Sequence, residues 1–289
     1  MPRLPPWIRQ PLRTDQHYGS VQQVLANLSL HTVCRSAHCP NQQECWNRGT
    51  ATFMILGDTC TRACQFCNVT TGRPAAPDPG EPQRLAEAVQ KMQLRHVVIT
   101  SVTRDDLPDG GAGHFAATIA AVRAALPGAL IEVLTPDFGG APAALDSVLA
   151  ARPDVFNHNL ETVRRLQPDV RPQANYERSL GVLRHAAAFQ PKPAVKSGLM
   201  VGLGETDDEL LEALRDLRAA GCELLTVGQY LRPRHGKREV ARFVTPEAFA
   251  ELEQAARALG FRAVAAGPLV RSSYRAEELT QAAVAATTA

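Results

Sequence analysis

The sequence lacks any apolar run that approaches the roughly 18 residues needed to span a bilayer. Residues 1–20 also lack the apolar core of a secretory signal, and their prolines argue against an amphipathic transit helix. An excess of either charge is missing too, because 31 Lys and Arg residues stand against 29 Asp and Glu, a net charge of +2. These absences predict a chain that acts in the cytoplasm, without a membrane and without general nucleic-acid binding.

The chain is long enough to bury a full core. Its 289 residues are 45% hydrophobic and 21% charged, which suits one large α/β barrel or two ordinary domains. Lysine is scarce, with four residues among the 31 basic ones. Arginine supplies the rest, and this bias carries little information about function.

From residue 51 onward, β-rich runs alternate with segments of helical period. The predicted strands are 51–56, 96–101, 130–135, 154–160, 195–203 and 224–231, and a short strand follows within 261–267. The predicted helices are 82–94, 114–126, 141–151, 175–189, 207–220 and 246–259. Six β/α repeats predict an α/β fold, a partial (β/α)6 TIM-like barrel, and a doubly wound open sheet is the alternative.

Capping residues mark the ends of two predicted helices, and the composition indicates three parts of the chain. Thr206 and Thr245 are typical helix N-caps, and Gly221 and Gly260 are typical of helix C-termini. We expect a cysteine-rich N-terminal extension over residues 1–50, the barrel over 51–260 and a short C-terminal extension over 261–289. The Ala/Thr tail from about residue 280 is expected to be disordered.

Six of the seven cysteines lie between Cys34 and Cys67, in two triplets. Without an export signal we expect a reducing compartment, where clustered cysteines indicate a metal site rather than disulfides. The second triplet is Cys60, Cys64 and Cys67, in a C-x3-C-x2-C spacing just after the first predicted barrel strand.

Three thiolates can bind three irons of a [4Fe–4S] cube and leave the fourth iron open. An open iron can chelate the amino and carboxylate groups of S-adenosylmethionine (SAM), so the second triplet predicts a radical SAM enzyme. Phe66 is placed to cover the cluster and to pack near an adenine. Zinc, or a redox-active cysteine pair, is the alternative, although zinc prefers four ligands.

The first triplet is Cys34, Cys39 and Cys45, and by itself it is less decisive. With His31 or His38 it could form a Cys3His zinc knuckle. The other interpretation is an auxiliary [4Fe–4S] cluster, whose fourth ligand would come from elsewhere. Cys222 follows a barrel helix at the end remote from the predicted mouth, which favours a buried free thiol.

Polar residues gather where the predicted strands end, the usual site of ligand binding in parallel α/β folds. We take these as candidates for cofactor binding: Thr100, Ser101, Asn159, Glu161, Lys196, Gly202 and Glu205. Asn157, Asn159 and Glu161 would share one side of a strand, and the last two could hold the cofactor's amino group or ribose. His158 would then point outward as a packed or surface residue.

Two glycine- or aspartate-rich runs allow more than one interpretation. Gly202 belongs to a glycine run that could form a cofactor wall or only a tight turn. Asp105 and Asp106 could orient a ribose or a substrate amide, or could cap a turn.

Seven segments of this sequence, taken together, are similar to the lipoyl synthase family. They are HTVCRSAHCPNQQECW, TATFMILGDTCTRACQFCNV, TSVTRDDLPDGGA, FNHNLETV, KSGLMVGLGETDDE, GQYLRP and AAGPLVRSSY. They occur in the family's order and cover about residues 5–276. The two cysteine triplets at these spacings, with a terminal RSSY, form a very specific combination.

The resemblance implies that Cys60, Cys64 and Cys67 bind the radical-generating cluster. It also implies an auxiliary [4Fe–4S] cluster on Cys34, Cys39 and Cys45, with Ser273 as its fourth ligand and with the cluster as the sulfur donor. The implied activity is that of a radical SAM sulfurtransferase in lipoate biosynthesis. It inserts sulfur at carbon atoms 6 and 8 of a protein-bound octanoyl-lysine and uses two SAM molecules per product.

The same resemblance implies several partners. The substrates would be octanoylated carrier domains, those of the 2-oxoacid dehydrogenase E2 components and of the glycine cleavage carrier protein. An electron donor such as flavodoxin or ferredoxin and an iron–sulfur carrier for cluster rebuilding would also be needed. We expect a monomer, since no separate interface element is visible. Tyr18, Arg35 and Arg271 are further candidates for holding the octanoyl-lysine or orienting the auxiliary cluster.

Some positions depart from the family's pattern, and two other functions compete with it. The departures are Ala63, Gln65, Asn68, Thr103 and Arg164, none of them a proposed cluster ligand. A methylthiotransferase acting on tRNA is one alternative, although no basic RNA-binding tail follows Tyr274. A non-catalytic iron–sulfur carrier or zinc scaffold is the other, and it would not need SAM.

Overall fold

The computed structural model describes residues 4–9, 16–48 and 50–281, without the side chains of residues 16 and 17. Its N-terminal part contains a 3-10 turn, three helices and one short strand. These are Pro6–Ile8, α1 (Gln16–Asn27), β1 (His31–Thr32), α2 (Val33–Ser36) and α3 (Gln42–Asn47). Within the described ranges, no helix combines the length and the apolar character needed to cross a membrane.

Strands and helices alternate through the rest of the chain. The strands are β2 (Thr52–Ile55), β3 (Thr59–Cys60), β4 (Thr70–Thr71), β5 (His96–Ser101), β6 (Leu130–Leu134), β7 (Val155–Asn157), β8 (Ala194–Val201), β9 (Leu224–Gln229) and β10 (Ala263–Gly267). The helices are α4 (Glu81–Lys91), α5 (Ala112–Ala125), α6 (Pro142–Ala150), α7 (Gln167–Val170), α8 (Tyr176–Ala188), α9 (Asp207–Ala219) and α10 (Pro246–Ala258). Residues 276–281 are also helical.

Eight strands form the main sheet, in the order β1-β2-β5-β6-β7-β8-β9-β10. The strands from β2 to β10 are parallel, and β1 is antiparallel to β2. Because the spatial order follows the chain order, the sheet is singly wound, so the doubly wound alternative is wrong. The predicted partial barrel is confirmed, and the antiparallel edge strand β1 is an element that the sequence analysis did not predict.

The helices lie on one side of the sheet. Helices α4, α5, α6, α8 and α9 contact their neighbours in chain order, so they form an outer layer and leave the other face of the sheet as an interior. Apolar side chains such as Val97, Val133 and Leu225 pack in the main core. A smaller cluster on the interior side joins Val155 and Leu224 to Leu279 of the C-terminal helix. That helix therefore packs against the inner face of the sheet.

Most element boundaries agree with the predictions to within about two residues, and the caps explain why. The Thr206 side chain accepts a hydrogen bond from the backbone N–H of Glu209 in a capping box, and Thr245 caps α10 in the same way. Gly221 and Gly260 both adopt φ of 89° directly after a helix, the left-handed conformation that favours glycine there. Of the tail expected to be disordered, residues 282–289 lie outside the described residues.

The strand predicted over 154–160 is partly wrong, because β7 ends at Asn157. Glu161 has a φ of +72°, which is not an extended conformation. The chain nevertheless stays beside β8, since the N–H of Glu161 donates to the carbonyl of Gly198 at 2.9 Å. The turn brings the Glu161 side chain to a position that a regular strand would not give it.

His158 is buried, as one of the two predicted alternatives required. Its Nδ1 donates to the carbonyl of Thr135 at 2.9 Å, and its Nε2 accepts from the Ser179 hydroxyl at 3.1 Å. Burial and the nearby Arg171 charge lower the pKa of His158 to about 4. The folded chain therefore holds this imidazole in its neutral form at neutral pH.

We predict that acidification from pH 7 to pH 5 weakens the fold through His158. The unfolded imidazole, with a pKa near 6.5, takes up a proton in this range while the folded one does not, which lowers the free energy of unfolding by about 2 kcal/mol. Urea unfolding of the chain and of His158→Gln at both pH values measures the difference, with His185→Gln as the control on a partly exposed histidine. Equal pH dependence in the chain and in His158→Gln would contradict the prediction.

Candidate functional site

A cavity of about 630 Å³ lies between the inner face of the sheet, the N-terminal helices and residues 270–278. This volume is typical of small-molecule sites. Its lining includes many of the residues selected from the sequence, namely Cys34, His38, Cys39, Cys45, Phe66, Cys67, Asn159, Glu161, Arg271 and Ser273. The whole first triplet and Cys67 of the second thus border one space, while Cys60 and Cys64 are not among the residues that line it.

The first triplet is built by the two short helices that follow β1. Cys34 lies in α2, which begins after the N-cap Thr32, and Cys45 lies in α3. The three thiols are close enough to interact electrostatically, and desolvation raises the pKa of Cys34 and Cys39 and raises that of Cys45 to about 12. Metal binding at this triplet would therefore release protons from the thiols.

The second triplet lies in the loop between β2 and α4. Desolvation raises the pKa of Cys64 and raises that of Cys67 to about 11, with further electrostatic effects among the three thiols. The Cys60 sulfur accepts backbone N–H groups of Arg62 at 3.4 Å and of Thr103 at 3.3 Å. Such N–H···S contacts are among the means by which proteins tune iron–sulfur clusters.

The donor chemistry of both triplets fits iron–sulfur clusters. Each supplies three soft thiol ligands, and in a four-iron cube each thiolate binds a separate iron. Among the residues that the structure describes, no three His, Cys, Asp or Glu side chains are grouped so as to hold a single metal ion. All seven cysteines are free of disulfides, and Cys222 is fully buried away from both triplets.

Arg62 anchors the loop that carries the second triplet. Its guanidinium donates to Asp105 with two hydrogen bonds of 2.8 Å and to Asp137 with bonds of 2.9 and 2.7 Å. Burial alone would raise the pKa of Asp137, but the hydrogen bonds and charge of Arg62 outweigh it and hold that pKa well below its usual range. The loop is thereby tied to the segments that follow β5 and β6.

The structure gives both aspartates arginine partners that the sequence analysis did not consider. Asp105 pairs with Arg62, and Asp106 pairs with Arg104 at 2.8 Å. The sequence analysis did not select Arg62, although an arginine between two cluster cysteines was the available signal. Its partners could not be found, because they lie 43 and 75 residues away.

Asn159 and Glu161 form an acceptor-rich corner of the cavity. The Asn159 side-chain amide donates to Glu161 Oε1 at 3.1 Å and to Ser272 Oγ at 2.6 Å, and its carbonyl oxygen has no partner among the described residues. Desolvation raises the pKa of Glu161, against the opposing charge of Arg171. An unsatisfied amide oxygen beside a desolvated carboxylate fits a ligand amino group, as SAM would present.

The other five candidates for cofactor binding lie outside the cavity lining as described. The Thr100 hydroxyl donates to the carbonyl of Leu134, and Ser101 Oγ has no partner among the described residues. Lys196 is fully buried and pairs with Glu132 at 2.7 Å. Burial would raise the pKa of Glu132, but Lys196 and His96 hold it at about 2.

Gly202 and Glu205 form a tight turn at the end of β8. Gly202 has φ of +96°, and its N–H donates to the Glu205 carboxylate at 2.6 Å. A Cβ atom there would come within 2.5 Å of the Arg242 carbonyl. Both conformation and space therefore require glycine, without any ligand.

The segment that carries Ser273 is clamped between β9 and α3. A Cβ at Gly228 would lie 2.1 Å from the Val270 carbonyl, so this glycine admits the segment. On the other side, the Tyr274 hydroxyl donates to Glu44 at 3.0 Å, and Arg275 pairs with the same carboxylate at 3.2 Å. These contacts place the Ser273 hydroxyl beside the first triplet's cavity wall.

We predict that Arg62→Met lowers the free energy of unfolding by about 3 kcal/mol, since it leaves buried Asp137 without its main partner. The matched control is Arg165→Met, which removes a bidentate pair with Glu209. The arginine side chain is 6% exposed in the first pair and 56% exposed in the second, so the control should cost less than about 1 kcal/mol. Urea unfolding measures both, and equal losses would contradict the proposed anchor.

Comparisons with known proteins agree with this geometry. Residues 54–217 match the model of the radical SAM superfamily. The chain is 58% identical over 277 residues to the lipoyl synthase of Thermus thermophilus, covering 95% of this chain and 86% of that one. It is 57% identical over 279 residues to the lipoyl synthase of Pyrobaculum calidifontis, covering 95% of each.

Solved structures resemble the fold at low sequence identity. Methylornithine synthase (PylB) aligns with a TM-score of 0.55 and 14% identity, over 84% of this chain and 74% of that one. HydG, a maturase of the [FeFe]-hydrogenase, aligns with a TM-score of 0.58 and 14% identity, over 81% and 54%. Membership of the radical SAM superfamily implies one [4Fe–4S] cluster and SAM as cofactors. With its cysteine loop at the mouth of a partial barrel and its identity to these relatives along nearly the whole chain, the protein belongs to the lipoyl synthase family.

Proposed function

We propose that this chain is a radical SAM sulfurtransferase that converts a protein-bound octanoyl-lysine into the lipoyl cofactor. Sulfur would enter at carbon atoms 6 and 8 of the octanoyl chain. The observation that carries the proposal is the cavity bordered by the whole first triplet, by Cys67 of the second triplet, and by Asn159 and Glu161. A radical generator and a sulfur source can act on one carbon chain only if both face the same space.

In this proposal Cys60, Cys64 and Cys67 hold the radical-generating cluster, and Asn159 with Glu161 receives the amino group of SAM. When bound, this cluster and SAM supply the one-electron chemistry that removes a hydrogen atom from an unactivated carbon, which no side-chain acid or base could do. The chain contributes position and the exclusion of water. Phe66 borders the cavity beside Cys67, where its ring can cover the site.

Cys34, Cys39, Cys45 and Ser273 hold the auxiliary [4Fe–4S] cluster in this proposal, and that cluster is the sulfur donor. A serine oxygen is a harder ligand for iron than a thiolate, so the iron it binds should leave more readily. Loss of that iron would expose sulfide to the carbon chain. Two insertions would use two SAM molecules per product.

The other candidates receive supporting roles. We propose that Lys196 stabilises the barrel interior through its buried pair with Glu132 rather than binding a cofactor. Thr100, Ser101, Gly202 and Glu205 would shape the strand ends around the site. We propose the same three parts of the chain, residues 1–50, 51–260 and 261–289. The first and the last are joined by the hydrogen bond from the Tyr274 hydroxyl to Glu44.

The substrates would be octanoylated lipoyl carrier proteins, as the family's function implies. We propose the E2 components of 2-oxoacid dehydrogenases and the glycine cleavage carrier protein. An electron donor such as flavodoxin or ferredoxin would reduce the radical-generating cluster, and an iron–sulfur carrier would rebuild the auxiliary one. The chain would act as a monomer in the cytoplasm, where a reducing medium keeps its thiols available.

The experiment is anaerobic incubation of reconstituted protein with an octanoyl-lysine peptide, SAM and a strong reductant. We predict that the peptide gains two sulfurs as the dithiol, and loses two hydrogens when that dithiol is afterwards oxidised to the disulfide, both measured by mass spectrometry. Cys64→Ala should abolish deoxyadenosine formation, whereas Cys34→Ala should form deoxyadenosine and leave the peptide without sulfur. Cys222→Ala is the matched control, because this thiol is buried apart from both triplets, and it should keep the activity.

Three outcomes would contradict parts of the proposal. Deoxyadenosine formation with an unchanged peptide would support the radical chemistry and overturn the substrate. A sulfur-containing peptide from Cys34→Ala would overturn the role of the first triplet. Neither product, from protein shown to hold two clusters, would favour a non-catalytic iron–sulfur carrier.

A further inference from the structure

Thr52 lies between Ser273 and Cys34 of the first triplet. Its Oγ1 lies 2.8 Å from Ser273 Oγ. Its backbone N–H faces the Cys34 thiol and lowers the pKa of that thiol, against the larger opposing effect of burial. One residue at the start of β2 thus joins a triplet cysteine to a serine 221 positions further along the chain.

Thr52 is held rigidly. Strand β2 lies inside the sheet, between β1 and β5, and Thr52 pairs with Val98 of β5. Thr52 is 5% exposed and lines the cavity. A hydroxyl on an interior strand can fix the orientation of a partner, whereas one on a loop would move with it.

Ser273 depends on this contact for its own orientation. Ser272 is bound by Asn159 and Tyr274 by Glu44, so the residues on either side have their own partners. Among the described residues, Thr52 is the one hydrogen-bond partner of Ser273 Oγ. Without it, the serine side chain would be free to rotate within the turn.

We propose that Thr52 is a positioning residue of the auxiliary cluster site, whose hydroxyl holds Ser273 Oγ toward the first triplet and donates a hydrogen bond to it. This inference rests on the proposed function, in which Ser273 is the fourth ligand. A serine oxygen bound to iron carries negative charge and has no hydrogen to give, so in that state Thr52 is the donor. Hydrogen bonds to charged oxygens are stronger than those between neutral groups.

The proposal predicts how readily the auxiliary cluster loses iron. Thr52→Val keeps the branched shape, the strand and the backbone N–H, and replaces only the hydroxyl with a methyl group. It should accelerate release of the fourth iron about tenfold or more, as expected for one charge-assisted hydrogen bond. Thr52→Ser keeps the hydroxyl and should stay within about threefold of the unmodified chain.

The measurement uses the full chain with both clusters, without substrate or SAM. Iron transfer to a chelator is followed by absorbance, and the three-iron cluster left behind is followed by electron paramagnetic resonance. Cys34→Ala, which should lack the auxiliary cluster, gives the contribution of the other cluster. Ser273→Ala and the double variant Thr52→Val/Ser273→Ala complete a cycle, in which adding Thr52→Val to Ser273→Ala should change nothing.

The outcomes separate this inference from the function on which it rests. If Ser273→Ala loses iron quickly and Thr52→Val does not, the role of Thr52 is wrong and the ligand role of Ser273 stands. If Ser273→Ala matches the unmodified chain, the ligand role fails and this inference fails with it. If iron is released as fast from Thr52→Ser as from Thr52→Val, the proposed role of Thr52 is also wrong, because the hydroxyl would not be what retains the iron. Should Thr52→Val fold poorly, Thr52→Ala carries the same test.

Discussion

The buried guanidinium of Arg62 is the interaction on which the candidate site depends most. It lies within the cysteine loop and binds two carboxylates that follow different strands, so the loop cannot shift without breaking charged hydrogen bonds in a desolvated setting. A loop of thiols has no such rigidity of its own, since cysteine side chains offer weak hydrogen bonds. The aspartates therefore convert a flexible connection into a fixed arm at the mouth of the barrel.

The cavity exists because the sheet does not close. Its edge strands in the described chain are β1 and β10, and the N-terminal helices and the C-terminal segment cover the space between them. That cover is held by polar contacts such as Tyr274 with Glu44, and by the exposed pair of Arg48 with Glu278 at 2.7 Å. Exposed pairs contribute little to stability, so the cover depends mainly on buried apolar contacts such as those of Trp46 and Leu279.

Much of the fold could be predicted because its signals are local. Helix caps such as Thr206, and the apolar period of each helix, depend only on residues that are close together in the sequence. The left-handed turn at Glu161 was missed because no glycine marks it. Lys196 looked like a strand-end ligand, but its distance from Glu132 along the chain, 64 residues, hides the pair that neutralises it. The cysteine triplets were found by spacing, whereas their supports, Arg62 and Thr52, needed the tertiary structure.

The two triplets differ in how the chain supports them, and the difference follows their proposed chemistry. The second triplet has a buried ionic anchor in its own loop, in addition to N–H donors to Cys60 and Cys67, which would suit the proposed radical-generating cluster if it persists through many turnovers. The first shares its cavity with the Ser273 hydroxyl, which accepts a hydrogen bond from one neutral hydroxyl, that of Thr52, on an interior strand. A single hydrogen bond can orient the serine without making its bond to iron hard to break. If Ser273 is the fourth ligand as proposed, the Thr52–Ser273 pair can both orient the ligand and let the iron leave, whereas a fourth cysteine, as a softer ligand, would bind that iron more firmly.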